Sequence, residues 1–148
     1  IMDQGVVHQI STPSEMYKQP VNVFVAGFLG NPPICFIDGK IEGGKFCIPQ
    51  TDISLDIPSH LTSIENSVPV KLGIRPEFLQ PGLENEIKGK ITFIETQGRE
   101  KLYDITLSSG DILRSIQPED NLFKLGNEVT WGLKTDRILV FDEQGNRL

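Results

Sequence analysis

The chain has 148 residues, 38% of them hydrophobic and 23% charged, and a formal net charge of -6. That length suits one domain with a real core, and the composition excludes disordered and fibrous classes. The negative balance argues against a nucleic-acid partner, whose affinity would rest on Lys and Arg replacing counterions.

The longest apolar stretch, Val23 to Leu29 with Gly27 inside it, is far short of the roughly 20 residues that cross a bilayer. The amino end, Ile1 to Gly5, lacks the basic-then-apolar order of a secretory signal. Ile1 standing ahead of Met2 reads as the boundary of a longer polypeptide. Cys35 and Cys47, twelve positions apart and outside any CxxC pair, read as buried reduced thiols of a cytosolic protein.

In chain order, Val6 to Ile10 is a short strand candidate. Thr12-Pro13-Ser14-Glu15 then spells a helix start: the Thr12 hydroxyl can accept the N3 amide, Glu15 can reach back to the Thr12 N–H, and Pro13 has no amide to strand. This helix is expected to run to about Lys18, with Pro20 stopping it. Asn22 caps a second helix, Val23 to about Leu29, on which Phe24 and Phe28 lie one turn apart and share a face. Gly30 supplies the positive-φ stop, and Asn31-Pro32-Pro33 blocks continuation. Helices this short do not persist alone, so both must pack on something. The lead through Gly30 is expected to be less stable than the β region after it, for want of a packing partner.

After Pro33 the pattern turns to strands. Ile34 to Ile37, a turn across Gly39 to Gly44, and Lys45 to Ile48 read as a hairpin. Ile53, Leu55 and Ile57 alternate with Ser54 and Asp56, a strand with one wet face. Val68 to Ile74 comes next, with Pro69 tolerable only near its start or at an edge. Arg75 to Leu79 is a turn or single helical turn, closed by Pro81-Gly82. Beyond Glu86 come Ile87, Ile91 and Phe93; then Leu102, Ile105 and Leu107; then Ile112 to Ile116. Val129, Trp131 and Leu133 line a further strand, and Ile138 to Phe141 forms the last. Many short strands between Gly, Pro and Asp turns indicate an all-β barrel or sandwich. Residues 1–33 form the lead and 34–148 the β domain, whose internal division is expected at 75–82.

Motifs for chemistry are sparse. No G-x-x-x-x-G-K-[ST] loop is present to hold β- and γ-phosphates. His8 and His60 fit no zinc spacing with Cys35 or Cys47. Ser11, Ser14 and Ser115 lack a nucleophile elbow. Glu77, Asp104 and Glu119 are scattered carboxylates of the usual solvated kind. Trp131 and Phe93 are expected in core or interface packing. Lys88, Lys90 and Lys101 beside aromatics suggest an oligonucleotide-binding surface only faintly, against the negative total charge.

Three blocks carry a resemblance. Met2 to Gly5 with His8-Gln9-Ile10-Ser11-Thr12-Pro13-Ser14-Glu15-Met16-Tyr17 and Pro20 resembles the end of the ATPase domain in sugar-type ABC importer subunits. Asn22 to Pro32, with Phe24, Phe28 and Gly30, resembles the helical hinge found next in the maltose, glycerol-phosphate and multiple-sugar group. Leu72-Gly73-Ile74-Arg75-Pro76-Glu77 resembles the motif opening that family's second regulatory segment, and Phe141-Asp142 with Gly145 to Leu148 resembles its closing strands. Phe78 departs from the His of many relatives, and Ile34-Cys35 from their Met-Asn.

The resemblance implies tandem small oligonucleotide-binding-like (OB-like) barrel subdomains preceded by two short helices. It implies a regulatory, transport-associated domain, the TOBE type, that itself binds no catalytic group, metal or cofactor. ATP and Mg belong to an ATPase domain expected upstream. The implied partners are a second copy or homologous ATP-binding subunit, permease subunits reached through the parent, and in some relatives a cytosolic regulatory protein. The implied location is cytoplasmic, peripheral at the inner face of the cell membrane. The alternatives are a self-contained ligand-binding or protein-recruiting module, favoured by a concave apolar pocket with convergent polar groups, and a small enzyme assembled only in the fold.

Overall fold

A computed structural model describes all of residues 1–148. The chain opens with a two-stranded hairpin, β1 (Met2–Asp3) and β2 (Val6–Val7). The strand expected from Val6 is thus shorter than its apolar run and pairs with residues that carry no strand signal.

Helix α1 (Pro13–Lys18) begins as its sequence dictates. The Glu15 amide donates to the Thr12 hydroxyl at 3.3 Å, and the Thr12 amide donates to the Glu15 carboxylate at 2.9 Å. Helix α2 (Val23–Phe28) is capped by the Asn22 side-chain oxygen, which accepts from the Val25 amide at 2.9 Å. Gly30 lies just beyond at φ +118, a conformation open to a residue without a Cβ.

The rest is β structure in two five-stranded sheets. The first comprises β3 (Cys35–Glu42), β4 (Lys45–Cys47), β5 (Ser54–Asp56), β6 (Val68–Ile74) and β12 (Leu139–Phe141), in the order β12-β6-β3-β4-β5. The second comprises β7 (Leu79–Pro81), β8 (Ile87–Gln97), β9 (Glu100–Thr106), β10 (Ile112–Pro118) and β11 (Glu128–Leu133), in the order β10-β9-β8-β11-β7. With the two short helices in front, this is the all-β, OB-like architecture expected. The second sheet is an insertion: it occupies the chain between β6 and β12, which pair with each other in the first.

Local chemistry explains the register. The β3–β4 turn is Gly43-Gly44 alone, both at positive φ (+57 and +73), as a two-residue primed turn requires. Gly39, expected in the turn, lies inside β3 instead. A Cβ there would stand 2.4 Å from the Phe46 ring, so the missing side chain makes room for Phe46 to lie across the strand. Pro69 sits in β6 beyond the reach of β12, which pairs only with Lys71 to Gly73, so a missing amide there interrupts no ladder on that side. Ile53, Leu55 and Ile57 all turn inward, as their alternation says.

Phe93 is the exception among the alternating residues. The β8–β9 pairing slips between Ile91 and Phe93, and the extra residue reverses which side chains face inward. Phe93 is left 46% exposed, whereas Trp131 is fully buried. In β10 the inward residues are Leu113, Ser115 and Gln117, not the isoleucines. The two polar ones are satisfied: the Ser115 hydroxyl and Gln117 amide both donate to the Leu79 carbonyl, at 2.6 and 3.1 Å, drawing β10 against β7.

One core of 22 buried residues runs through both sheets, from Ile37 and Phe46 to Ile91 and Trp131. A smaller cluster, Ala26, Ile34, Leu139 and Phe141, seats α2 on the first sheet. The outer strand β5 is linked to the second unit by Asn85, whose side chain accepts from the Asp56 amide at 2.7 Å and donates to its carbonyl at 2.8 Å.

Candidate functional site

Of the residues singled out by sequence, Tyr17, Gly30, Gly73, Arg75, Pro76 and Phe141 meet at the junction between the helices and the sheets, whereas Thr12, Pro13, Glu15 and Phe28 lie exposed on the helices. Gly73 lies in β6, where a Cβ would come within 2.9 Å of Ile34 and 3.2 Å of Phe141. This close approach lets the cluster beneath α2 form. The chain then leaves β6 and turns through a 3-10 segment, Pro76–Phe78, with Pro76 buried. That turn aims Arg75 back at the helices.

Arg75 is only 2% exposed. Its Nη1 donates to the Leu29 carbonyl at 2.9 Å, its Nη2 to the Tyr17 carbonyl at 2.7 Å, and its guanidinium lies 3.6 Å from the centre of the Tyr17 ring. The two carbonyls stand at the C-terminal ends of α2 and α1, where unpaired C=O groups collect and a cation is favoured. One planar fork therefore ties both helices to β6. Burial lowers the Arg75 pKa to about 10, still well above neutrality, so the group is charged at pH 7.

The tail closes the same junction from the other side. The Asp142 carboxylate accepts from the Asn146 amide at 2.7 Å, fixing a tight turn after β12. From that turn the Gly145 carbonyl accepts from the Val23 amide at 2.9 Å, and the Arg147 amide donates to the Val21 carbonyl at 2.9 Å. Phe141 meets Phe36 edge-on, with centroids 5.9 Å apart.

Sequence reasoning gave no role to four further residues. Gln9 accepts from the Val21 amide and donates to Ser11 and to the Gln19 carbonyl, clasping the ends of α1. His8 stacks 4.6 Å from Phe24, and its Nδ1 lies 3.1 Å from the Asn22 amide nitrogen. Because Asn22 spends its oxygen on the Val25 amide, its NH2 must donate, and Nδ1 accepts. Asn146 and Gly145 complete the set. The only signal in the sequence was their place within the blocks that resembled a family.

Phe24 and Phe28 share a face as expected, with centroids 6.3 Å apart; His8 stacks on Phe24, whereas Phe28 is left 64% exposed. The buried side of α2 is Val25 and Ala26. Glu77 is half-buried beside the turn, and its carbonyl accepts from Gln80.

Elsewhere the chemistry is plain. Asp104 pairs with Arg114 at 2.9 Å. The half-buried free thiols are Cys35, whose pKa burial raises, and Cys47. No group of three His, Cys, Asp or Glu residues could hold a metal, and no helix is long and apolar enough to cross a membrane. A half-open groove of about 770 Å³ lies over the outer face of β8, between Lys88, Lys90, Thr106 and Glu128 and the loop bearing Asp52. Its lining is mainly polar and of mixed sign, neither an apolar pocket nor a positive track.

Comparison with known proteins agrees with this anatomy. Residues 72–141 match the TOBE domain family. The chain is 38% identical over 120 residues to the uncharacterised ABC transporter ATP-binding protein YcjV of Escherichia coli O6:H1, covering 76% of this chain and 33% of YcjV. It is 32% identical over 153 residues to the maltose/maltodextrin import ATP-binding protein MalK of Vibrio cholerae, covering 98% of this chain and 41% of MalK. The trehalose/maltose import ATP-binding protein MalK of Thermococcus litoralis is 27% identical over 157 residues, with 97% and 41% covered. The chain thus spans between 33% and 41% of these relatives' length. Its fold is similar to that of the cytoplasmic molybdate-binding protein ModG solved with molybdate bound, at TM-score 0.56 and 11% identity, over 72% of this chain and 93% of that one.

Proposed function

We propose, from the premise that this chain belongs with the TOBE-bearing regulatory domains of sugar-type ABC importer ATP-binding proteins, that it is the non-catalytic, dimer-stabilising module of a transport ATPase. The carrying observation is the lead itself. It is bound to the sheets by Arg75 and the tail, yet it leaves Val6, Ile10, Phe24 and Phe28 exposed. Large exposed apolar side chains gathered in one segment mark a surface made to be covered, and an ATPase domain joined to the lead is the partner of matching place and character.

In this reading ATP and Mg bind in that upstream domain, which performs the hydrolysis. Two β modules stay associated while the catalytic domains part and rejoin, so each domain meets its partner at an effective concentration on the order of mM without this module touching nucleotide. The complex sits against permease subunits at the inner membrane face, and a cytosolic regulatory protein has the module's outer surfaces available. The solute class is sugar.

The test is a full-length subunit with and without residues 34–148. Loss of dimerisation and of coupled import, with nucleotide binding kept, is the expected result; retention of both at wild-type level overturns the reading. ATP turnover by the 148-residue chain itself, abolished by a point change within it, would overturn it equally.

A further inference from the structure

The block that resembles a hinge is bound down at both ends. The Val21 and Val23 backbones pair with Arg147 and Gly145, Val25 and Ala26 are fully buried, and Leu29 is held by Arg75. These bonds span 46 to 126 residues of sequence and join the segment to residues that follow β6 and β12 of the first sheet. The terminal hairpin is attached differently. None of residues 1–12 is buried, and the hairpin is held mainly by the Gln9 and His8 side chains in exposed or half-exposed bonds.

We infer that Arg75 is a positioning residue that locks α1 and α2 to the β module as one rigid body, so that any swing of a preceding domain occurs N-terminal to Thr12 and not in the α2 segment. The first half rests on geometry alone; the second rests on the function proposed above. Two carbonyls from two helices and one aromatic face must be met by a single side chain, and a guanidinium offers two divergent donors and a flat face together. Lysine carries the charge but neither the plane nor the stack.

The test uses the 148-residue chain. In the wild type, residual dipolar couplings from α1, α2 and the strands fit one alignment tensor, and those of Met2 to Val7 do not. In Arg75→Met the α2 amides, Ala26 foremost, exchange roughly 100-fold faster and leave the common tensor. Tyr17→Ala, which removes only the stacked ring, shifts α1 and α2 the same way by a smaller factor should Arg75→Met fail to fold. Arg75→Lys does not restore the common tensor. Unchanged α2 couplings and exchange in a folded Arg75→Met protein, or full rescue by lysine, overturn the lock. Wild-type couplings in which α2 already departs from the strands overturn it before any substitution. Because none of these measurements involves ATP, dimers or transport, their failure is distinct from failure of the functional reading.

Discussion

The two sheets enclose 22 apolar side chains in one continuous core, whereas residues 1–33 bury only Pro20, Val25 and Ala26. The sheets are held by area removed from water, a force indifferent to direction. The lead is held by a four-residue apolar seat under α2 and by directed bonds: an arginine fork, an asparagine cap, a capping box and a pair of backbone bridges. Directed bonds can be lost singly while a core is lost as a whole, so the lead should open without the sheets and the sheets should not open without the lead.

The largest effect tests the unity of the core. Phe46→Ala, in the first sheet, should cost about 3–5 kcal/mol, and the loss should be read in full by fluorescence of Trp131 in the second. A Trp131 denaturation midpoint that stays put while circular dichroism shifts would show two cores instead of one. Next comes Gly73→Ala, which drives a Cβ toward Ile34 and Phe141 and should cost about 1–3 kcal/mol. Its mark is that amide exchange in α2 rises more than exchange in β8, since the disturbed cluster is the seat of the helix.

Asn22→Ala removes the α2 cap and the donor to His8 together, for about 1 kcal/mol felt in the lead alone. A comparable fall in global stability by chemical denaturation would erase the distinction between the regions. The smallest effect is a pH dependence. The Glu15 pKa is lowered, chiefly by the bond from the Thr12 amide and then by that from its hydroxyl. A lowered folded-state pKa means a contribution present above the ordinary carboxylate value and lost as pH falls through the folded one. Amide shifts of Ser14 to Tyr17 should therefore move only as acidification passes below the ordinary carboxylate range, with the β strands silent, and Glu15→Gln should abolish the movement.

How legible these features were depends on how local they are. The capping box needed four consecutive residues, and the β5 strand needed one alternation; both stood as written. That Phe93 lies outside the core is not legible in the sequence, because a single-residue slip between Ile91 and Phe93 leaves no trace in an apolar pattern. Ser115 and Gln117 were passed over because polar residues face inward only when an acceptor such as the Leu79 carbonyl awaits them, 36 and 38 residues away. Arg75 was marked by its motif, but its role was not. Its partners, Tyr17 and Leu29, lie 58 and 46 residues back, and only the completed fold brings them together.

The insertion of the second sheet between β6 and β12 orders events during synthesis. Helix α2 leaves the ribosome long before Leu139, Phe141 and Gly145, the residues it rests on. Between them the whole second sheet must emerge, and contacts this distant in sequence form late. Helix α2 is thus seated fully only after the second sheet and β12 have both been made.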